Sequence, residues 1–95
     1  MIDRKKILND AMNVICNDRQ DQYGNAEDSF FEIAKLWTSY LNATVTSFDV
    51  AMMMILLKIA RCESNPYHND NYVDICGYAA LAGEMILNDD LKENE

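Results

Sequence analysis

"NAEDSFFEIAKLWTSYLN", residues 25–42, decides the fold. Phe30, Ile33, Trp37 and Leu41 recur at spacings of three and four, with Ala34 beside them. Lys35, Ser39 and Asn42 fall on the opposite side. That period is one face of an α-helix and does not match the alternation of a strand. Asn25 is expected to cap the helix, and Asp28, three residues on, comes close to completing a capping box. The spacing therefore predicts an amphipathic helix over 26–41.

Working outward, three more segments carry a helical period and none alternates over strand length. From about Asp3 to Cys16, residues Ile7, Leu8, Ala11, Met12 and Ile15 form a stripe, with Asp3 as the expected N-cap. "TSFD" (46–49) offers Thr46 or Ser47 as the cap of a third helix reaching Arg61 or Cys62. Between Val50 and Ile59 that helix is apolar on nearly every side, which places it centrally in a core or partly in an oligomer interface. Met52, Met53 and Met54 are expected to serve as adaptable core filling. After the loop "ESNPYHND" (63–70), a fourth helix is expected from Asp70 or Asn71 to Leu87. Its small-residue middle, "GYAALAG" (77–83), is expected to pack tightly against the third helix. The fold class is all-α: a compact four-helix, bundle-like domain over 1–88, followed by an acidic, frayed tail over 89–95. A bundle this small with so apolar a third helix is expected to be a homo-oligomer.

Composition narrows the function. With 16 acidic and 8 basic residues the formal net charge is −8, which disfavours direct nucleic-acid binding through phosphate neutralisation. The longest apolar run, "VAMMMILL" (50–57), falls far short of the roughly 20 residues that span a bilayer. "MIDRKKILND" (1–10) is charged from the start and carries no secretory h-region. Cys16, Cys62 and Cys76 form no CxxC pair and are expected to be free thiols of a reducing compartment. The expectation is a soluble cytoplasmic protein with no membrane partner.

Two sets of side chains carry possible chemistry. The acidic set is Glu27, Asp49, Asp70 and Asp74. Carboxylates at helix openings complement the helix dipole, and capping alone accounts for Glu27, Asp28 and Asp49. Asp74 lies beyond the first turn of its helix, four residues from Asp70 and on the same face. Such helix openings can converge on a magnesium ion that borrows further oxygen ligands from phosphate and water. The basic set is Lys58 and Arg61, three apart on the third helix. A position near the helix C-terminus explains Arg61, whereas Lys58 interrupts an apolar helix and either snorkels or meets an anion. Arg19, Gln22 and Tyr23, in "RQDQYG" (19–24), add a bidentate fork for phosphate, a donor and acceptor for a base edge, and a ring to stack on. The lone histidine, His68, sits in a polar loop and is read as surface. No P-loop, dinucleotide fingerprint or nucleophile elbow occurs in the sequence.

The strings R-x-D-Q-Y-G, E-x-x-F-x-x-I-A-x-L-W-x-x-Y-L, D-V-A-x-M-M-x-L-L-K-I-A-R and D-N-Y-V-D-x-x-G-Y-A cover residues 19 to about 84. Together they resemble a family of short phage and prophage proteins with no assigned activity. More distantly, the layout is similar to the MazG-like all-α nucleotide pyrophosphohydrolases. In that superfamily a Glu-x-x-Glu helix and a later Glu-x-x-Asp helix hold magnesium around a nucleoside triphosphate, and members dimerise or assemble further. The resemblance implies that Glu27 matches the first glutamate and Asp74 the later aspartate, both in catalytic roles. Phe30 stands where the second glutamate would be and Asn71 three residues before Asp74. Asp70 then replaces the missing acid with a shift of one residue.

Two functions fit these residues. One is a phosphohydrolase in which Glu27, Asp70 and Asp74 hold magnesium and a bound water attacks a phosphate. The other is a non-catalytic anti-defence sponge that sequesters a host nucleotide immune signal, a cyclic nucleotide for example, with Lys58 and Arg61 on phosphate and Tyr23 on a base. Both expect a small phosphorylated nucleotide ligand, and only the first needs magnesium.

Overall fold

The computed structural model describes the backbone of residues 1–18 and 26–93, with side chains described at 1–17 and 28–88. Four helices carry the chain: α1 (Arg4–Asn13), α2 (Ala26–Leu41), α3 (Ser47–Ser64) and α4 (Asn69–Glu93). No strand occurs among the described residues, so the all-α expectation holds.

Local chemistry sets most of the boundaries. The Asp3 side chain accepts from the backbone N–H of Lys6 at 2.9 Å and caps α1. Thr46 caps α3 in a full capping box: its Oγ1 accepts from Asp49 N–H at 3.0 Å, and Asp49 Oδ2 accepts from Thr46 N–H at 3.0 Å. α2 ends where Asn42 turns to φ 54, a left-handed conformation that Asn tolerates well, and Ala43 N–H reaches back to the Thr38 carbonyl at 3.3 Å. Thr38 Oγ1 then binds Val45 twice, accepting from its N–H at 2.8 Å and donating to its carbonyl at 3.1 Å. This ties the end of α2 to the start of α3. The expected Asn25 cap of α2 lies outside the described residues.

Two boundaries differ from the sequence reading. α1 stops at Asn13 and gives way to a π-helical turn, Val14–Asp18, where continuous α-helix was expected to Cys16. α4 runs helical to Glu93, past the expected end at Leu87. No Gly or Pro follows Leu87 to stop the helix.

The connection Asn65–His68 is short enough to make α3 and α4 antiparallel neighbours, and theirs is the most extensive pairing in the molecule. Tyr72 clamps this corner by donating its hydroxyl hydrogen bond to the Pro66 carbonyl at 2.7 Å. α2 packs on α3, and α1 packs on α4. Phe30 and Val50 are the largest fully buried side chains, with Ala34, Ala51, Tyr78, Leu81 and Ala82 completing the buried cluster. The Phe30 and Tyr78 rings sit 6.0 Å apart, within the range of favourable aromatic pairing.

Three packing expectations need correction. Gly77 makes its close approach to the π-helical turn: a Cβ there would meet Ile15 Cγ2 at 3.0 Å, so this part of the small-residue stretch serves that turn and not α3. Met52 and Met53 are 42% and 40% exposed, and of the three methionines Met54 alone packs against the core. Leu8, Met12 and Leu41, placed on core stripes by their spacing, are more than half exposed. In the last two cases the helix presents a wider apolar surface than its neighbours cover.

Candidate functional site

Lys58 and Asp74 meet. Lys58 Nζ lies 2.9 Å from Asp74 Oδ2 across the α3–α4 interface, with side chains only 17% and 29% exposed. Among the described residues this is the one ion pair that joins two helices; the others are local, Lys6–Asp10, Glu32–Lys35 and His68–Asp70. The sequence reading placed Lys58 in a phosphate-binding set and Asp74 in a metal-binding set. The fold makes them partners.

The surroundings explain why the pair is sheltered. Lys58 sits on the side of α3 that faces α4, with Met54 and Ile55 one turn before it packed against the core. Asp74 is flanked by Val73, which is buried, and by Asn71 one turn earlier on the same face of α4, which is 4% exposed. Asn71 is the single buried polar residue among those described, and no buried side-chain polar atom there lacks a partner. On the α1 side of Asp74 a crevice of about 10 Å³ between Val14, Ile15 and Gly77 has room for about one water.

The remaining candidates separate from this pair by degrees. Arg61, one turn beyond Lys58, is exposed, and its guanidinium makes no ion pair among the described residues. Asp70 is 75% exposed and stands 3.9 Å from His68 Nε2 at the start of α4. The described residues contain no cluster of three acidic, His or Cys side chains that could hold a metal ion. Asp74 is engaged by Lys58, Asp70 is in solvent, and the side chain of Glu27, the third proposed ligand, lies outside the described residues. Arg19, Gln22 and Tyr23 lie outside them too.

A larger groove lies elsewhere. It encloses about 750 Å³ between Phe31, Thr38, Val45, Phe48 and Met85, and among the described residues none of the candidates lines it. It opens at the N-terminal end of α3 and beyond the middle of α4, roughly 17 Å along the helices from the ion pair. Its walls are mostly apolar, and Lys35 at its rim is already paired with Glu32 at 3.2 Å and lies over the Phe31 ring at 5.2 Å. Cys16, Cys62 and Cys76 are all free thiols. No helix among the described residues is long and apolar enough to cross a membrane.

What sequence reasoning missed was the partnership. Its signal was present: Lys58 is the lone charge between Val50 and Ala60, and Asp74 the lone charge between Asn71 and Gly83. Two opposite charges, each isolated in an apolar helix, belong together when those helices are antiparallel neighbours.

Known proteins resemble this chain over nearly its whole helical part. The model of a domain of unknown function, DUF6378, matches residues 6–86. The "Gene 55 protein" of Mycobacterium phage L5 is 46% identical over 85 residues, a match covering 88% of this chain and 54% of that protein. The "Gene 55 protein" of Mycobacterium phage D29 is 40% identical over 75 residues, covering 79% of this chain and 50% of that protein. The chain thus spans about half the length of the curated relatives it matches. No solved structure matches. The matched segment holds the Lys58–Asp74 pair together with Arg61 and Asp70, and the chain belongs to the DUF6378 family, alongside proteins encoded by phages.

Proposed function

We propose that this protein binds a small phosphorylated nucleotide, with Lys58 as the cation that meets phosphate. The observation that carries the reading is the sheltered, cross-helix Lys58–Asp74 pair. Dehydrating two charges costs several kcal/mol per ion, and a lone pair rarely repays this beyond what apolar residues of the same volume would give. A pair kept at such a place is better explained by a role for its charges. Lys is a compact point charge suited to phosphate. Asp74 holds the ammonium at the α3–α4 interface until an anion replaces or joins it.

Arg61, exposed one turn away, supplies a bidentate fork to the same ligand. Arg19, Gln22 and Tyr23 are proposed to contribute a second phosphate contact, a base-edge contact and a stacking ring. A MazG-like hydrolysis would use Glu27, Asp70 and Asp74 around magnesium, which would act as the Lewis acid when bound. The engagement of Asp74 by Lys58 favours the other use of the site. There the ligand is held without turnover, as in the sequestration of a host nucleotide signal by a phage protein.

The test is capture and release. The purified protein is incubated with magnesium and a panel of nucleoside triphosphates, linear dinucleotides and cyclic nucleotides, then heat-denatured, and the small molecules are chromatographed. A nucleotide that leaves solution and returns intact supports retention; one that returns as monophosphate and pyrophosphate supports hydrolysis. Lys58→Met is expected to weaken capture at least ~10-fold, a loss of about 1.4 kcal/mol, with helical content unchanged, and Lys58→Arg to weaken it less. Wild-type capture by a Lys58→Met, Arg61→Ala double variant would remove the anion site.

A further inference from the structure

We propose that Asn71 reads the base of the bound nucleotide, its side-chain amide pairing with an adenine edge beside the Lys58 phosphate contact. This rests on the nucleotide reading above and names the base.

Asn71 lies in the first turn of α4 and is 4% exposed. Its backbone N–H is taken by the His68 carbonyl at 3.2 Å. Among the described residues no group hydrogen-bonds its side-chain amide. Side-chain polar atoms that are fully sealed there all have partners, so the two amide atoms are not among them. They hold the little solvent access that Asn71 retains. An amide offers two donors and one acceptor, and burying them unpaired costs more than an apolar side chain in the same place. Folded proteins keep few such groups, and each calls for a partner from outside the packed chain.

The amide belongs to the α3 side of its helix. Asn71 and Asp74 are three apart on one face of α4, and Asp74 meets Lys58 of α3 at 2.9 Å. The small crevice towards α1 is lined by Val73, Asp74 and Gly77, and Asn71 takes no part in it. One turn from Asp74 towards the α3–α4 corner brings α4 to Asn71. One turn from Lys58 towards the same corner brings α3 to Arg61, which is exposed. In an antiparallel pair these two residues stand at the same level. The open amide is therefore placed next to the two cations proposed to hold phosphate.

Chemistry selects the group it meets. A phosphate oxygen only accepts, so it would serve the amide N–H and leave the amide oxygen without a donor. A base edge with a donor beside an acceptor serves both. Adenine presents its N6 amino group beside N7, the pair of atoms that an Asn amide matches in bidentate fashion. On the same edge guanine presents N7 and O6, two acceptors, and the amide oxygen would stay unpaired.

The test is equilibrium dialysis of the full chain against ATP, 7-deaza-ATP, GTP, cyclic AMP and cyclic GMP, with thermal unfolding of each variant alongside. Wild type is expected to hold each adenine nucleotide at least ~10-fold more tightly than its guanine counterpart, and ATP more tightly than 7-deaza-ATP, which lacks the N7 acceptor. Asn71→Leu is expected to abolish both preferences. Its unfolding midpoint should equal or exceed that of wild type, because no hydrogen bond within the protein is lost. Lys58→Met weakens all five and keeps their order. Equal retention of adenine and guanine forms by wild type, or an unchanged preference in Asn71→Leu, overturns the proposal and leaves Lys58 as an anion site. A midpoint that falls in step with retention in Asn71→Leu also overturns it and gives the amide a structural role. Wild type that holds none of the five overturns it together with the nucleotide reading for these ligands. If Asn71→Leu does not fold, Asn71→Ser replaces it, being smaller and too short to reach both base atoms, with the same outcomes.

Discussion

At the scale of residues, two glycines of one helix have opposite meanings. Gly77 and Gly83 both interrupt α4, where glycine costs about 0.5–1 kcal/mol relative to Ala. At Gly83 a Cβ meets nothing within 4 Å, so Gly83→Ala is expected to raise stability by about that amount, read as a higher denaturant midpoint at unchanged slope. At Gly77 the same change presses on Ile15 Cγ2 at 3.0 Å, and the gain should be smaller or reversed. Equal effects at both positions would mean that the π-turn yields freely. Lys58 and Asp74 show the same contrast between identity and setting. Each was legible alone as a charge out of place in an apolar helix. Their pairing was not, because sixteen residues and a corner separate them and only the rotation of α3 against α4 brings Nζ to 2.9 Å from Oδ2.

At the scale of elements, α3 is the helix whose start was written most clearly and whose packing was written least. "TSFD" forms the reciprocal capping box its residue types suggest. Thr46→Ala is therefore expected to cost about 1 kcal/mol, since the Asp49 N–H loses its acceptor, and urea denaturation measures it. The same substitution leaves the Lys58–Asp74 pair, three turns away, untouched, so ligand capture should persist. Beyond the cap, the near-continuous apolar run hides which side faces inward, because a periodic signal needs a polar side to define it. The structure resolves this: Val50, Ala51, Met54 and Ile55 face the core, and Met52, Met53, Leu56 and Leu57 do not. For α1 the limit was different, since nothing local in "VICND" distinguishes five residues of π-turn from a last turn of α-helix.

At the scale of the whole molecule, the α3–α4 hairpin is the frame on which α1 and α2 pack from separate sides. Phe30 is the side chain through which α2 joins it, 1% exposed and in ring contact with Tyr78 of α4. Phe30→Ala is expected to cost about 3–5 kcal/mol, a large part of the 5–15 kcal/mol typical of a domain. Thermal unfolding would show it as a steep fall in midpoint. A loss under about 1 kcal/mol would mean that the core is held from the α3–α4 side alone.

By itself the sequence determined how many helices form, where two of them are capped and which side chains are chemically out of place. These are properties of short stretches, carried by 3.6-residue periodicity and by single hydrogen bonds between residues three apart. Tertiary structure alone decided that Lys58 belongs to Asp74, that Gly77 answers to Ile15, and that half of an apolar helix is left uncovered. Those outcomes depend on the rotation of one helix against another and on the area its neighbours can cover. No local pattern encodes either quantity.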